Sequence, residues 1–279
     1  MRVLAYYGPK DVRDEEWPRP KKVAEGFVRV APRAVALGER SILAYLENNI
    51  VSPCPIGETA AGIIEESTVE GLLPGMPAVL WNDDPAKKGL SAESLIWDAE
   101  HVFVPPQALS YQEMALLPFW AEVWNALEGL KEKEPVAVLG QGPLFEIVKT
   151  LLPFKGGVLA EEDQEANLTI CCESDDKILE KAQLITKTAG AVKVLSYLPG
   201  AKLALSPLAL QKRICFNFGT VCQKKSLEKI FALTKKDGLS LVCGSKLFSW
   251  DQADKAVEEL EKGSFVTLYQ ESFDEPYFP

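Results

Sequence analysis

The first part of the chain alternates short apolar runs with clusters of Gly, Pro and Asp, a pattern typical of short β-strands joined by turns. The runs are MRVLAYY, GFVRVAPRAVAL, AAGIIEES, MPAVLW and AESLIWDAEHVFV. From Tyr111 the apolar positions change to helical spacing through MALLPFWAEVWNALEGL. The pattern predicts an irregular β-barrel followed by a helix, with a domain boundary near Gly129.

Beyond Gly129, strand-like runs alternate with helical segments, which predicts a parallel sheet. The order is VAVLG, a helix over 144–152, GGVLA, LTICC, a helix over about 176–189, AVKVLSY and RICFNFGTV. The closing run SFVTLYQ predicts a strand that returns to the first domain. We therefore predict one domain over residues 1–128, to which residues 237–279 return, and a second over residues 129–236.

Two helices carry sequence signals at their ends. Asp175 is a candidate N-cap, and Gly190 marks the predicted end of the same helix. The sequence S-W-D-Q at Ser249 has the capping-box pattern, and Gly263 marks the end of that second helix. Its apolar face is predicted to pack on another element, through Trp250, Ala253, Val257 and Leu260.

The segment PVAVLGQGPLF predicts a buried strand, a glycine turn and the start of a helix. Gly140 and Gly142 permit a tight turn, and Pro143 suits the first position of a helix. Dinucleotides bind at such junctions, where the fingerprint is G-x-G-x-x-G/A. Phe145 stands at the last small position of that fingerprint. The turn fits and the packing position does not, so an ordinary strand-to-helix turn is the alternative interpretation.

The net charge of −10 argues against nucleic acid and anionic membranes as partners, because both are polyanions. No apolar run approaches the roughly 20 residues that a membrane span needs, and the N-terminus lacks the apolar core of a signal peptide. We expect a cytoplasmic protein with a small-molecule ligand.

The cysteines have no CxxC pair and predict buried free thiols. His101, the only histidine, has no second histidine to work with.

In this order the motifs resemble those of the medium-chain dehydrogenase/reductase superfamily, the zinc alcohol dehydrogenase and quinone oxidoreductase group. The resemblance covers nearly the whole chain. Its segments are GFVRVAPRAVALGERSILAY, PIGETAAGIIEE, GLLPGMPAVL, GLSAESLIWDAEHVFVPPQALS, the glycine turn and WDQADKAVEELEKGSFVTLY. In that family a GroES-like barrel carries the substrate site, a Rossmann domain holds NAD or NADP, and hydride transfer occurs in the cleft between them. The resemblance implies an α/β plus β fold: a GroES-like irregular β-barrel joined to a reduced, Rossmann-like, doubly wound parallel sheet.

The residues at the family's zinc positions differ from those of zinc-dependent members. Leu37 stands where the first cysteine ligand is expected. In G-E-T-A-A-G, Glu58 takes the histidine position and Thr59 the glutamate position. No cysteine lies over residues 82–100, where a four-cysteine structural lobe belongs. Zinc needs three or four N, S or O ligands, so we expect no zinc. The alternative is a metal site that Glu58 rebuilds with other carboxylates.

The Rossmann half is shortened. Only EEDQEAN separates GGVLA from LTICC, where the family places a helix, a strand and a helix. If both runs are parallel strands on either side of VAVLG, the link spans roughly 20 Å, within reach of seven extended residues. GGVLA is otherwise a displaced edge strand or a loop. Glu161 and Glu162 lie near the position of the acid that binds the ribose hydroxyls, or else form a solvated acidic loop.

Two functions follow from the resemblance. The first is a zinc-independent oxidoreductase that uses NAD or NADP. Glu39 and Glu58 then resemble residues of the catalytic cleft, with Arg40 and Thr59 beside them and Trp120 as a wall for a flat substrate. Two close carboxylates raise the pKa of one of them and make it a proton donor, unless Arg40 neutralises the pair. The alternative is a salt bridge that seals a vestigial site.

The second function is a non-catalytic binding or assembly protein that keeps the fold. The shortened sheet, the missing ligands and Phe145 favour it, because a phenylalanine ring pushes the helix away or fills the pyrophosphate space. Under either hypothesis RICFNFGTV resembles the strand that family dimers pair edge to edge. We therefore predict a homodimer.

Overall fold

A computed structural model describes residues 1–8, 11–38, 40–41, 52–83, 88–107, 109–173, 175–196, 203–219 and 221–269. The chain divides into two compact units. Unit 1 comprises Met1–Phe119 and Cys222–Pro279, and unit 2 comprises Trp120–Val221.

The described residues form the following elements. The strands are β1 (Arg2–Gly8), β2 (Asp11–Glu16), β3 (Phe27–Leu37), β4 (Cys54–Pro55), β5 (Thr59–Ser67), β6 (Pro77–Trp81), β7 (Leu95–Asp98), β8 (Val102–Phe103), β9 (Glu134–Leu139), β10 (Gly157–Leu159), β11 (Ala166–Cys171), β12 (Thr186–Val194), β13 (Cys215–Phe218), β14 (Lys246–Ser249) and β15 (Val266–Tyr269). The α-helices are α1 (Tyr111–Ala126), α2 (Pro143–Leu151), α3 (Asp176–Ile185), α4 (Pro207–Lys212), α5 (Lys224–Lys236) and α6 (Ala253–Glu261).

Unit 1 contains the predicted β-rich architecture. A seven-stranded sheet has the order β14-β15-β3-β5-β6-β8, with β7 also paired to β3, and a three-stranded sheet has the order β2-β1-β4. Side chains from several strands meet in one buried cluster that includes Val28, Val30, Ile64, Leu80 and Trp97. Since β-strands alternate their faces, the apolar half of each strand forms this core.

The end of the chain joins the same unit through α6 and β15. Ser249 and Gln252 form the predicted capping box. The predicted apolar face of the following helix is buried against β1 and β15, which confirms that it packs on another element. β15 pairs antiparallel with β3.

The sequence did not predict β2, because its six residues DVRDEE show no apolar alternation. The strand forms because β1 offers an antiparallel partner over its whole length. Arg2 of β1 also binds Asp14 of β2, with Nε 2.7 Å from Oδ2. Pairing with a neighbour therefore outweighs the low β-propensity of this polar segment.

Unit 2 contains a five-stranded sheet with the order β10-β9-β11-β12-β13, in which every pair is parallel. The chain passes from β9 to β10 in one direction and from β11 to β12 and β13 in the other. Right-handed crossovers therefore place helices on both faces, so the sheet is doubly wound as expected. The direction changes between β9 and β11, the kind of position where α/β sheets bind ligands.

Of the arrangements considered for GGVLA, the structure has a short edge strand parallel to β9. Gly157 pairs with Glu134, and Leu159 pairs with Val136. The residues between Leu159 and Ala166 then lead to β11 on the other side of β9. The short link therefore connects β10 to β11 across β9 without a crossover helix.

One helix ends earlier than predicted. The sequence placed the end of α3 near Gly190, but the helix ends at Ile185, and β12 begins at once with Thr186. The Thr186 hydroxyl lies 2.7 Å from the Thr169 hydroxyl and 2.6 Å from the Ala182 carbonyl oxygen. These bonds hold residue 186 in the sheet, so the prediction of a longer helix was wrong. The predicted N-cap is confirmed, since Asp175 accepts a hydrogen bond from the backbone N–H of Ile178.

The chain passes from one unit to the other at different residues from those that the sequence suggested. We placed the divisions after residues 128 and 236. The structure divides the chain after Phe119, inside α1, and after Val221. A helix that is continuous through both units gives no turn signal at the division, and α5, absent from the prediction, belongs to unit 1.

Candidate functional site

The turn between β9 and α2 has the backbone conformation that its glycines predict. Gly140 has φ +98° and Gly142 has φ +85°. Residues with a Cβ rarely adopt such values, so glycine is required at both positions. Pro143 is the first residue of α2, as predicted. The turn thus presents its backbone at the carboxyl end of β9.

A carboxylate of the chain itself lies over this turn. Glu173 comes two residues after the end of β11, and the parallel ladder continues past that end because Cys172 N–H donates to the Leu139 carbonyl, 2.8 Å away. Gln141 N–H donates to Glu173 Oε1 at 3.2 Å. A Cβ placed on Gly140 would lie 3.0 Å from Glu173 N. The side chain of Glu173 therefore occupies the space above the turn and accepts one of its backbone donors.

The first turn of α2 carries Phe145 and Glu146. The Phe145 ring is half-buried, and the Lys149 ammonium lies 5.1 Å from the ring centroid. Lys149 also pairs with Glu146, at 3.3 Å. The helix packs through other side chains, namely Leu144, Ile147, Val148 and Leu151. Phe145 is therefore not part of the buried face of the helix, although it stands at the fingerprint position for close packing.

Glu161 and Glu162 follow β10, and both are exposed. Glu161 N–H donates to the Gln164 side-chain oxygen at 2.9 Å, which closes a turn. Because β9 and β10 are parallel neighbours, Glu161 and the glycine turn lie at the same edge of the sheet. This is the topological position that the acid of the dinucleotide fingerprint takes.

Glu58, in unit 1, is almost completely buried, with 1% of its surface exposed. Its Oε1 accepts hydrogen bonds from Gly38 N–H at 3.1 Å and Ser41 N–H at 2.5 Å. Its Oε2 lies 3.4 Å from Nε of Arg40. A buried carboxylate requires such partners, since an unpaired charge is costly away from water. The arrangement favours the salt-bridge alternative for Glu58 over the proton donor.

Of the other residues predicted to line the catalytic cleft, two are buried and one lies outside the described residues. Thr59 is fully buried, and its hydroxyl donates to the Ala115 carbonyl at 2.6 Å. Trp120 has 1% of its surface exposed. Its proposed role as a wall for a substrate remains a prediction. Glu39 lies outside the described residues.

The described residues contain no group of three or more His, Cys, Asp or Glu side chains arranged to hold a metal. His101 Nε2 instead lies 2.9 Å from Asp83 Oδ2.

Burial raises the pKa of the Cys171 thiol to about 12 and that of Cys54 to about 11. The buried-thiol prediction holds for Cys54, Cys171, Cys172 and Cys222. It fails for Cys215, which is exposed on the edge strand β13, and holds only in part for Cys243, which is half-buried.

Unit 1 also has an open groove of about 820 Å³. Its lining includes Phe103 and Phe231, with Glu228, Lys235 and Lys236 beside them. None of the predicted site residues lines it.

The helices in the described part of the chain all fall short of the length and apolar character that a membrane crossing requires.

The architecture of the two units defines the class of fold, that of the alcohol dehydrogenases. An alcohol dehydrogenase from Aeropyrum pernix superimposes with a TM-score of 0.80 at 17% identity, over 96% of this chain and 100% of the other. An alcohol dehydrogenase from Thermus sp. ATN1 gives 0.79 at 15% identity, over 97% and 100%. An E. coli alcohol dehydrogenase complexed with the cofactor NADH gives 0.77 at 14% identity, over 96% and 99%. The predicted fold is confirmed.

Sequence comparison adds nothing to this likeness, because neither a protein-family model nor a curated protein matches the chain. The similarity at these low identities concerns the fold.

Sequence reasoning missed Glu173. The residue follows the run LTICC and shows no motif, and its place above the glycine turn depends on the pairing of β11 with β9. The available signal was an acidic residue just after the strand that neighbours a glycine-turn strand. Carboxyl ends of parallel strands meet at one edge, so such a residue belongs to the turn's surroundings.

Proposed function

We propose that the protein is a zinc-independent oxidoreductase that uses NAD(H) or NADP(H) to act on a small molecule. The observation that carries this proposal is the glycine turn between β9 and α2, with positive φ at Gly140 and Gly142, at the point where the strand order changes direction. A diphosphate binds at such turns through backbone N–H groups. The alcohol dehydrogenase fold supports the same interpretation.

The residues around the turn fit a dinucleotide in part. The two glycines let a diphosphate approach the backbone, and Gln141 supplies an N–H donor. The exposed carboxylate of Glu161 suits the ribose hydroxyls. Glu173 must move aside for the diphosphate to reach Gln141. When bound, the nicotinamide supplies the hydride, and the protein supplies orientation and a proton.

The chemistry of the barrel unit supports a reaction without zinc. Where zinc-dependent relatives place their ligands, this chain has the Leu37 side chain, the enclosed Thr59 hydroxyl and the Glu58 carboxylate, which already binds Arg40. A metal ion would have to break these contacts. We expect elemental analysis of the purified protein to find no zinc above background, because three or four N, S or O ligands are needed to hold it. Stoichiometric zinc would contradict the proposal.

The proton donor then has one remaining candidate among the two predicted carboxylates. Glu58 is held by backbone N–H groups and by Arg40, so its role is structural in this proposal. Glu39 stays a predicted catalytic residue. The variant Glu39→Gln is expected to lower turnover, and Glu58→Gln is expected to lower the melting temperature.

Binding linkage tests the proposal directly. A ligand that binds only the folded state raises the melting temperature, by an amount that grows with its concentration over Kd. Purified protein is heated alone, with saturating NADH and with saturating NADPH. A rise with one of them is expected. No shift with either cofactor would contradict the proposed function.

One observation favours a second function, a non-catalytic ligand-binding or assembly protein. The Glu173 carboxylate lies where a diphosphate would bind and adds a negative charge there. If no cofactor shifts the melting temperature, this second function explains why the fold persists without the chemistry.

We also propose that the protein forms a homodimer through β13. This strand is an edge of the five-stranded sheet, and Phe218 on it is 50% exposed, with Val221 just beyond it 56% exposed. An edge strand with exposed apolar side chains is suited to pair with a second copy. Light scattering on the purified protein should give twice the mass of the chain, and a monomeric mass would refute the pairing.

A further inference from the structure

We propose that Glu173 is an internal competitor, a carboxylate of the chain that occupies the diphosphate position of the glycine turn and lowers the affinity for phosphorylated ligands. This inference rests on the proposed function and adds a regulation to the same site. Its basis is the contact between Glu173 Oε1 and Gln141 N–H, at 3.2 Å.

The position of Glu173 follows from the sheet. β11 pairs with β9 up to Cys171 opposite Leu139, and Cys172 N–H extends the ladder by one bond. The next residue is therefore delivered to the turn. The missing Cβ of Gly140 leaves room for it, since a Cβ there would lie 3.2 Å from both Cβ and Cγ of Glu173. The main chain thus holds this side chain above the turn.

Charge makes the contact competitive. Diphosphates and carboxylates are both anions, and both take hydrogen bonds from backbone N–H groups of such turns. A ligand must displace the Glu173 carboxylate from Gln141 and then bind beside its negative charge. The nearby Lys149 is already paired with Glu146 in the first turn of α2, so its positive charge is balanced by that acidic residue and not by Glu173.

The contact is also reversible. The Glu173 side chain is half-buried, and its bond to Gln141 lies at the surface. Rotation of the side chain exposes the turn without any movement of β11. The carboxylate therefore lowers affinity without abolishing the site.

Titration calorimetry with inorganic pyrophosphate tests the inference without a nucleotide. The variant Glu173→Ala removes the carboxylate, and Glu173→Gln keeps the shape while removing the charge. Glu132→Gln is the matched control, an exposed acidic residue of the same unit that precedes β9 and gives the same change in net charge. We expect about tenfold tighter pyrophosphate binding by both Glu173 variants and less than a twofold change in the control. Unchanged affinity, or no binding by any variant, overturns the inference.

The failure of this inference differs from a failure of the proposed function. The second measurement is the titration of the wild-type protein and of Glu173→Ala with NADH and, separately, with NADPH. If wild type binds NADH and the Glu173 variants gain nothing for pyrophosphate, the function stands and the competitor is refuted. If the variants gain pyrophosphate affinity but neither protein binds NADH or NADPH, the competitor stands and the dinucleotide function fails. Circular dichroism of Glu173→Gln guards against a folding defect as the cause.

Discussion

Glu58 and Glu173 are two carboxylates with similar hydrogen bonds to the backbone and different burial. Each accepts hydrogen bonds from the backbone of a glycine-containing turn, Glu58 from residues 38 and 41 and Glu173 from residue 141. Glu58 is 1% exposed and pairs with Arg40, whereas Glu173 is half-buried and lies at the surface. The difference teaches that burial decides the role: an enclosed carboxylate is part of the structure, and an accessible one can give way to a ligand.

The largest expected effect comes from the enclosed member of this pair. Glu58→Ala removes the buried carboxylate that pairs with Arg40 and accepts from two backbone N–H groups, so the free energy of unfolding should fall by about 3 kcal/mol. Urea denaturation measures it. Glu66→Ala is the control, because the Glu66 side chain is 50% exposed in its ion pair with Arg29 and should change stability by about 0.5 kcal/mol or less. Equal losses in both variants would break the comparison.

The second prediction concerns the depth of the core beneath Glu173. Burial raises the pKa of Cys171 to about 12, above its ordinary value of 9.0. As the pH rises from 9 towards 12, the unfolded chain loses this proton first, so stability present below pH 9 is progressively lost. At pH 10 this difference in pKa should lower the free energy of unfolding by about 1.4 kcal/mol relative to its value below pH 9.

The measurement is the free energy of unfolding at pH 8 and at pH 10. Cys171→Ala should lose less stability between these two values than the wild type. Cys215→Ala, at the exposed cysteine, should follow the wild type, since other alkaline groups titrate equally in both. A variant of Cys171 that keeps the full alkaline loss would show that the core is open to water two residues before Glu173.

The third prediction measures how closely Glu173 approaches the turn. Gly140→Ala meets two costs, a φ of +98° and a contact 3.0 Å from Glu173 N. Gly129→Ala has a φ of +87° with no atom within 4 Å, so it meets the backbone cost alone. Gly140→Ala should therefore destabilise the protein by about 1 kcal/mol more than the control, by thermal or urea unfolding. Equal costs would place Glu173 farther from the turn.

Local signals in the sequence predicted much of the fold. The apolar alternation of β3 and β5, the capping box at Ser249 and the turn glycines are each contained in a few adjacent residues. The missing elements lack such signals. β2 has no apolar face, and the end of α3 depends on a hydroxyl contact between Thr186 and Thr169, which are 17 positions apart.

The candidate site divides along the same line. Gly140 and Gly142 could be predicted because their conformation requires glycine. The pairing of Glu58 with Arg40 was foreseen, because the family resemblance places both residues in the same cleft. The hydrogen bonds from the backbone of Gly38 and Ser41 were not foreseen. Glu173 was not foreseen, since its contact with Gln141 depends on the parallel pairing of β9 and β11 and not on any local motif. Its role follows from non-local geometry that no motif encodes.

The smallest expected effect belongs to the accessible carboxylate. Glu173→Ala removes a single surface hydrogen bond, and water can replace the acceptor at Gln141 N–H, so the free energy of unfolding should change by about 0.5 kcal/mol or less. Urea denaturation at neutral pH gives this value beside that of Glu58→Ala. A loss near 3 kcal/mol would make Glu173 a structural residue like Glu58, and its displacement by a ligand would then be too costly to occur. A small change combined with a gain in pyrophosphate affinity would establish that the two carboxylates, bonded alike to the backbone, differ in role because they differ in access to water.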